Sequence, residues 1–298
     1  MPPERQEAFV LADDGTELYR RTRPADDPQG ASQITSVLAD GIACDGFIWK
    51  YLWDPLATRG PVAHFNYRGH GRSKRPVDPE RIDVPDHARD LDTIRRSLGD
   101  PECVLFGHSM GCQVVLEAFR VRREHIRGLV LICGAPGRVT HTFKGSDALA
   151  QALPRLIETV DKHPQLARAV WGSVPPELAL KIALAMGEVD GRLIEPRDLV
   201  RYLEHMVDME LPMFLRMLRA AGEHTTEDML PTIDVPVLVI AGEKDTFTPP
   251  RLAEQMARAI PKGELVMTSG THVVPLEQRA LVEEKILDFV DRVRVTPA

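Results

Sequence analysis

The chain has 298 residues, of which 43% are hydrophobic and 27% are charged, and this is the composition of an ordinary globular protein. Its formal net charge of -7 gives no electrostatic reason to expect nucleic acid or an anionic membrane surface as a partner. The sequence begins without the features of a signal peptide, and no apolar run approaches the ~18 residues needed to span a bilayer. We therefore expect a cytoplasmic protein without stable membrane insertion.

The first predicted elements are the two strands of a hairpin. Residues 7–12 and 17–23 flank D-D-G at 13–15, and an Asp-Gly pair between two strand-like segments is a strong turn signal. We expect this hairpin to form an antiparallel edge on a larger sheet.

Short, β-branched apolar runs then alternate with stretches of helical periodicity. Such runs are typical of parallel strands whose two faces are both covered by helices. The predicted strands are residues 34–39, 62–65, 103–106, 129–133, 235–241 and 264–268, and the predicted helices are 84–98, 111–125 and 277–293. Strand, helix and strand in repetition predict a doubly wound, mostly parallel sheet of the α/β class.

One long segment interrupts this alternation. From 136 to 229 the strand signals stop, and the sequence is helical and rich in methionine. A helical insertion in an α/β order predicts a cap over the carboxyl edge of the sheet, where ligands bind in such folds. We therefore predict a core of residues 1–135 and 230–298, with a helical cap of residues 136–229 inserted after the sixth strand.

A serine lies at the junction between a predicted strand and a predicted helix. The apolar run at 103–106 leads directly into G-H-S-M-G at 107–111, and helical periodicity follows. In this context G-x-S-x-G places the serine on a sharp strand-to-helix turn, where free N–H groups at the helix start favour a developing oxyanion. We therefore predict that Ser109 is a nucleophile.

A serine hydroxyl needs a general base, and the base needs an acid to orient it. Asp245 and His272 each follow a predicted strand, and they complete the chain order serine, acid, histidine. Glu243 is a competing acid, but it directly abuts the end of its strand. His108, beside the serine, is expected to pack beneath the turn rather than to act as the base.

Four motifs can be considered together. They are G-H-S-M-G at 107–111, Y-R-G-H-G-R-S at 67–73, G-E-K-D-T-F-T-P at 242–249 and G-T-H at 270–272. With them the chain resembles the α/β-hydrolase superfamily along nearly its whole length, in particular serine hydrolases of the esterase and lactonase type. The resemblance implies that Ser109 is the nucleophile, Asp245 the acid and His272 the base.

The loop after the third predicted strand departs from the family pattern. It reads D-G-I-A-C-D-G-F-I-W at 40–49, with Asp40 where the family usually has a histidine. The resemblance implies that the backbone N–H groups of Ile42 and Met110 form the oxyanion hole. Asp40 either perturbs that hole through its charge or braces the loop, and bracing is the simpler interpretation.

These assignments predict a hydrolase that transfers an acyl group to water and needs no cofactor or metal. No H-E-x-x-H, phosphate-binding glycine loop or dinucleotide fingerprint is present in the sequence. The expected small-molecule substrate is a hydrophobic carboxylic ester, a lactone or a thioester. Two alternatives stay open: a C–C bond hydrolase that cleaves a vinylogous diketone with the same triad, and a small-molecule receptor or carrier that has lost turnover.

Aromatic and methionine side chains of the loop and the predicted cap are candidates for an adaptable apolar pocket. They are Phe47, Trp49, Phe143, Trp171, Met206, Met213 and Phe214. The same spacing along a helix is also typical of packing between cap helices and core, so a structural role competes with the pocket. Nothing in the sequence indicates the oligomeric state.

Overall fold

The computed structural model describes residues 5–27, 34–171, 173, 175–185 and 188–295. Within these residues eight strands form one sheet in the order β1-β2-β4-β3-β5-β6-β7-β8. The strands are β1 (Gln6–Leu11), β2 (Glu17–Arg23), β3 (Thr35–Ala39), β4 (Val62–Phe65), β5 (Cys103–His108), β6 (Ile126–Ile132), β7 (Val237–Gly242) and β8 (Gly263–Thr268). The β1–β2 and β2–β4 pairs are antiparallel and the other pairs are parallel. The expected doubly wound sheet with an antiparallel edge is therefore confirmed.

The helices are α1 (Trp53–Ala57), α2 (Val84–Ser97), α3 (Met110–Val121), α4 (Ala148–Lys162), α5 (Pro164–Trp171), α6 (Pro176–Ala185), α7 (Pro196–Asp208), α8 (Leu211–Glu223), α9 (Pro250–Ala259), α10 (Val274–Glu277) and α11 (Arg279–Val295). The helix predicted at 84–98 is confirmed, whereas the one predicted at 111–125 ends at Val121 because Arg122 is extended, and α1 was not predicted. The last predicted helix begins two residues late, because Gln278 leaves the helical conformation and separates α10 from α11. In the part of the chain that the structure describes, no helix is long and apolar enough to cross a membrane.

Apolar side chains cover both faces of the sheet. Along β5, Leu105 belongs to the cluster beneath α2, α3 and α9, whereas Val104 and Phe106 belong to the cluster beneath α1 and α11. This alternation buries every residue of β5. It explains why a parallel strand appears in the sequence as a continuous apolar run.

Helices α4 to α8 lie between β6 and β7 in the chain. Helices α4, α5 and α8 share a small apolar cluster, in which Leu153 and Ile157 of α4 pack against Leu215 of α8, whereas α6 and α7 pack against the core cluster beneath α1 and α11. The segment is joined to the core where Gln113 Nε2 donates to the Ala221 carbonyl at 2.9 Å. The helices expected in this part of the chain are present, and their role as a cap stays a prediction.

A buried ion pair holds the loop that follows β4. Arg68 is fully buried and donates from Nε and Nη2 to the two carboxylate oxygens of Asp90 on α2, at 2.8 and 2.6 Å. Its Nη1 donates to Asp14 of the β1–β2 turn at 2.9 Å. One guanidinium therefore joins the edge hairpin, α2 and the loop that carries the R-G-H-G segment.

We expect Asp90→Ala to destabilise the fold strongly, because it leaves a buried guanidinium without its bidentate partner. The free energy of unfolding, measured by urea denaturation, falls by about 3–5 kcal/mol. Lys162→Ala is the matched control, since it breaks an exposed pair with Glu158 and costs less than about 1 kcal/mol. Equal losses in the two variants would contradict the anchoring role of Asp90.

Candidate active site

Ser109 lies on a strained turn between β5 and α3. Its φ of 55° and ψ of -120° are values that residues other than glycine rarely adopt. A Cβ at Gly107 would collide with the Gly111 carbonyl, and a Cβ at Gly111 would collide with the Ala39 carbonyl. Only glycine fits at both positions, and together they allow the sharp strand-to-helix turn that the sequence predicts.

Ser109, His272 and Asp245 form a continuous hydrogen-bonded chain. His272 Nε2 lies 2.9 Å from Ser109 Oγ, and His272 Nδ1 lies 2.9 Å from Asp245 Oδ2. Because a carboxylate only accepts hydrogen bonds, we assign the proton to Nδ1, which leaves Nε2 free to accept the serine proton. The structure therefore brings together the three residues that the sequence analysis selected.

The aspartate is held by its own loop. Asp245 Oδ1 accepts from the amides of Phe247 and Thr248 at 2.9 Å each, and the Thr248 hydroxyl donates to Oδ2 at 2.8 Å. Burial raises the pKa of this carboxyl, but the charge and hydrogen bond of His272 and the Thr248 donors outweigh it, so the pKa of Asp245 is lowered overall. Asp245 is therefore a carboxylate. Glu243, the competing acid, is exposed.

The loop that carries His272 is held by a buried glutamate. Glu277 Oε2 accepts from the Thr271 amide at 2.6 Å, and Oε1 accepts from the Thr271 hydroxyl at 2.8 Å. Oε1 also accepts from the Asp190 amide at 2.8 Å. Glu277 thus joins the His272 loop to the segment between α6 and α7, a role that the sequence analysis missed.

The loop after β3 lies directly against the serine. A Cβ at Gly41 would be 3.1 Å from Ser109 Cβ, which places the peptide that joins Gly41 to Ile42 beside Ser109. Among the described residues, neither the Ile42 amide nor the Met110 amide has a hydrogen-bond partner. Unpartnered amides beside a nucleophile are the donors that an oxyanion hole requires.

Asp40 is fully buried beneath this loop, and both of its carboxylate oxygens have partners. Oδ1 accepts from Trp49 Nε1 at 2.7 Å, and Oδ2 accepts from His64 Nε2 at 2.8 Å. Its main-chain carbonyl accepts from the Tyr67 hydroxyl at 2.8 Å. The carboxylate binds Trp49 at the other end of the same loop and His64 on β4, and this favours the bracing interpretation.

A second buried histidine supports the same loop. His70 Nε2 accepts from the Ala43 amide at 3.1 Å, and its Nδ1 donates to the Arg68 carbonyl at 3.1 Å. Burial lowers the pKa of His70 to about 4, so the ring is neutral and keeps its acceptor on Nε2. Since Ala43 has a positive φ of 60°, this bond holds a strained residue. The R-G-H-G segment therefore supports the oxyanion loop.

His108 packs beside His272. Its Nε2 donates to the His272 carbonyl at 2.9 Å, and the two imidazole rings lie 5.1 Å apart. Burial lowers the pKa of His108 to about 4, so this ring is neutral as well. His108 therefore supports the position of His272 and does not reach the serine hydroxyl as a second base.

Within the described ranges, neither a metal site nor a reactive thiol lies beside Ser109, Asp245 and His272. Among the residues that the structure describes, no group of three or more His, Cys, Asp or Glu side chains could hold a metal ion. The four cysteines are buried and free. Burial raises the pKa of the Cys103 thiol to about 11, and it raises the pKa of the other three as well, so these thiols stay protonated near neutral pH.

Two of the predicted pocket side chains lie near functional loops. The ring of Phe143 is 5.2 Å from the ring of Phe247, which is itself 5.0 Å from the His272 ring. Met213 of α8 lies over the loop after β4, since a Cβ at Gly69 would be 2.5 Å from its sulfur. The sequence analysis missed Phe247, although it stands in the same motif as the acid.

The other predicted pocket side chains are engaged in packing. Trp49 has no exposed surface, and Phe47 stacks on a tyrosine of α7 with ring centroids 5.0 Å apart. Trp171 and Phe214 pack on each other at 5.6 Å, and Trp171 Nε1 donates to the Met206 carbonyl at 3.2 Å. The ring contacts of Phe47, Trp49 and Phe214 fit packing between elements. Trp171 also lines a cavity at the surface of the segment, so its place in a substrate pocket stays a prediction.

Comparisons with known proteins agree with this fold. Residues 41–278 match the family model described as alpha/beta hydrolase fold. The chain is 30% identical, over 86% of its length, to the polyketide synthase ThaQ of Burkholderia thailandensis, but the match spans only 12% of that protein. It is 26% identical to the putative carbamate hydrolase RutD of Pseudomonas savastanoi pv. phaseolicola, over 88% of this chain and 96% of that protein.

A solved structure shows the same fold at lower sequence similarity. The esterase EaEST from Exiguobacterium antarcticum superposes with a TM-score of 0.76, and the match covers 96% of this chain and 100% of that one. The two sequences are 23% identical. At this level of identity, the similarity shows a shared fold only.

The two roles considered for Asp40 lead to different results on substitution. Asp40→Ala leaves Trp49 Nε1 and His64 Nε2 without an acceptor, so we expect the free energy of unfolding to fall by about 2–4 kcal/mol. Asp40→Asn is tolerated better, because His64 Nδ1 has no partner among the described residues and the ring can change tautomer to accept from the new amide. A lower kcat in Asp40→Asn at unchanged stability would instead show that the charge acts on the oxyanion.

The buried histidines make the fold sensitive to acid. His70 and His108 have pKa values of about 4 in the folded chain, below the ordinary histidine pKa of about 6.5. The unfolded chain therefore binds these protons first, and the stabilisation is complete above about pH 6.5 and is lost as the pH falls toward 4. We expect urea denaturation to give about 1–2 kcal/mol less stability per histidine at pH 5 than at pH 7.5. His70→Gln should remove the contribution of one histidine, so the loss of stability between pH 7.5 and pH 5 becomes smaller by about 1–2 kcal/mol. An unchanged pH dependence would contradict this assignment.

Proposed function

This chain belongs to the alpha/beta hydrolase family and is an enzyme of that family, and we propose that it is a serine hydrolase that acts through an acyl-enzyme. The proposed substrate is a small, hydrophobic carboxylic ester, lactone or thioester. The observation that carries the proposal is the hydrogen-bonded chain of Ser109, His272 and Asp245, with 2.9 Å at both links.

In the first half-reaction His272 Nε2 accepts the Ser109 proton while Oγ forms a bond to the acyl carbon. The tetrahedral oxygen then accepts N–H bonds from Ile42 and Met110, and each such donor lowers the barrier by roughly 3 kcal/mol. Asp245 holds the imidazole in the productive tautomer and balances its charge. When the intermediate collapses, the bond to the leaving group breaks and Nε2 gives that group its proton.

In the second half-reaction water takes the place of the leaving group. His272 accepts a proton from the water as its oxygen attacks the acyl carbon, and the same two amides hold the new tetrahedral oxygen. The bond between the acyl carbon and Oγ then breaks, Ser109 regains its proton from Nε2, and a carboxylic acid is released. Water is the only co-reactant.

We assign the helical segment 136–229 as a cap over this site. The Lys144 amide donates to the Thr246 carbonyl at 2.9 Å, in the loop that carries the acid. Glu188 accepts from the Thr246 hydroxyl and pairs with Lys144 Nζ at 2.6 Å. These hydrogen bonds and this ion pair support a cap that is held against the loop that carries Asp245. In this assignment the residues before and after the segment form the core.

The substrate class follows from the mechanism. Esters, lactones and thioesters each offer a carbonyl and a leaving group that takes up one proton. The relative named a putative carbamate hydrolase supports hydrolysis of an acyl compound by this type of chain. A C–C bond hydrolase with the same triad and a receptor without turnover are the competing hypotheses, and a cytoplasmic location stays a prediction.

Substitutions in the triad test the mechanism. We expect Ser109→Ala to abolish both turnover of p-nitrophenyl esters and labelling by a serine-directed phosphonate. Asp245→Asn should lower kcat by about 10⁴, because the imidazole loses its productive tautomer. Ser97→Ala is the control, since that serine is exposed at the end of α2.

Each competing hypothesis has a distinct outcome in the same assay. Normal labelling or turnover in Ser109→Ala would exclude this serine as the nucleophile. A folded wild-type protein that turns over none of the esters, lactones and diketones in a panel would favour the receptor, and cleavage of diketones alone would favour the C–C bond hydrolase.

A further inference from the structure

The imidazole of His272 has an exposed aromatic neighbour that the proposed mechanism does not use. The ring of Phe247 lies 5.0 Å from the His272 ring at an interplanar angle of 36°, and the ring of Phe143 lies 5.2 Å from Phe247. Phe247 is 40% exposed and Phe143 is half-buried. We call Phe247 and Phe143 the aromatic shelf. An apolar surface that is open to solvent thus adjoins the general base.

Main-chain hydrogen bonds fix the position of the aromatic shelf. The Phe247 amide donates to Asp245 Oδ1 at 2.9 Å, so the loop that places the acid also places this ring. The Lys144 amide donates to the Thr246 carbonyl, which joins the segment that carries Phe143 to the same loop. Two aromatic rings from distant parts of the sequence are therefore held in a defined relation to His272.

The proposed proton transfer indicates which part of a substrate lies next to the aromatic shelf. His272 Nε2 gives its proton to the leaving group, so that group lies beside the imidazole when its bond to the acyl carbon breaks. An apolar group that moves from water onto an aromatic surface gains free energy in proportion to the area covered. The aromatic shelf lies where a departing alcohol or thiol would gain from such a contact.

We infer that the aromatic shelf is a leaving-group subsite, and that this enzyme prefers esters and thioesters whose alcohol or thiol part is aromatic or otherwise bulky and apolar. The inference rests on the proposed serine hydrolase function. Phe247 and Phe143 are specificity residues in this assignment, and they take no part in the proton transfers. The products are a carboxylic acid and an arylalkyl alcohol or thiol.

The test compares the benzyl, cyclohexylmethyl and methyl esters of one short carboxylic acid. Benzyl alcohol and methanol are leaving groups of nearly equal acidity, so their difference in kcat/KM reports contacts to the leaving group rather than its reactivity. The wild-type enzyme is expected to prefer the benzyl ester. Phe247→Ala should lower the ratio of benzyl to methyl kcat/KM about tenfold, the size of effect typical for loss of an apolar contact. Phe143→Ala should lower the same ratio by a smaller factor.

Two further variants make the comparison specific. Phe247→Leu keeps an apolar side chain, so it should lower the preference for benzyl over cyclohexylmethyl while both stay ahead of methyl. Phe9→Ala is the matched control, because Phe9 is 49% exposed on β1 at the opposite edge of the sheet, and its loss should leave all three values of kcat/KM unchanged. Both substitutions at Phe247 retain the main-chain amide that donates to Asp245.

The outcomes separate this inference from the function on which it rests. Equal losses on benzyl and methyl esters in Phe247→Ala would show that the ring steadies the protonated His272, and the subsite would be overturned while the hydrolase function stands. Equal kcat/KM for the two esters in the wild-type enzyme would overturn the subsite in the same way. If the wild-type enzyme hydrolyses none of the esters, the proposed function falls and the subsite falls with it.

Discussion

At Gly111 the first turn of α3 lies against the main chain at the end of β3, with no side chain between them. A Cβ at this position would be 2.6 Å from the Asp40 carbonyl oxygen, so no other residue permits the approach. This close contact between α3 and the end of β3 brings three features of the site together. They are the strained backbone of Ser109, the unpartnered amide of Met110 at the start of α3, and the loop that carries Ile42. The proposed position of a substrate oxyanion would therefore be defined by main-chain atoms, with the side chains of Ser109, His272 and Asp245 arranged around it.

Parallel strands bring the rest of the site to the same edge of the sheet. The loops after β5, β7 and β8 carry the serine, the aspartate and the histidine, and these strands lie in one half of the sheet. Ser109 and His272 are 163 residues apart in the chain, yet their side chains meet at 2.9 Å. Each loop is also secured locally, by Thr248 beside the acid and by Glu277 beneath the histidine loop. The triad geometry thus depends on rigid strand ends and on short-range hydrogen bonds.

The loop after β3 is held in place by hydrogen bonds from buried polar side chains. Asp40 ties it to Trp49 and His64, and His70 accepts from the amide of Ala43. Such groups lose hydration when they are buried, and they stabilise the fold only when each finds a hydrogen-bond partner. The unusual carboxylate of Asp40 is therefore explained by its two partners, Trp49 within the loop and His64 on β4.

Several features could be predicted from the sequence alone: the strands, the edge hairpin, the turn at Ser109 and the order of the triad. They follow from local rules, since apolar periodicity, an Asp-Gly turn and glycines around a serine act over a few residues. Which aromatic residues lie near His272 was decided by the tertiary structure. Aromatic residues at helical spacing look the same in sequence whether they pack between helices, as Trp171 and Phe214 do, or adjoin the base, as Phe143 does through Phe247. The direction of a side chain toward the site depends on how distant segments cross, and no short-range pattern records that.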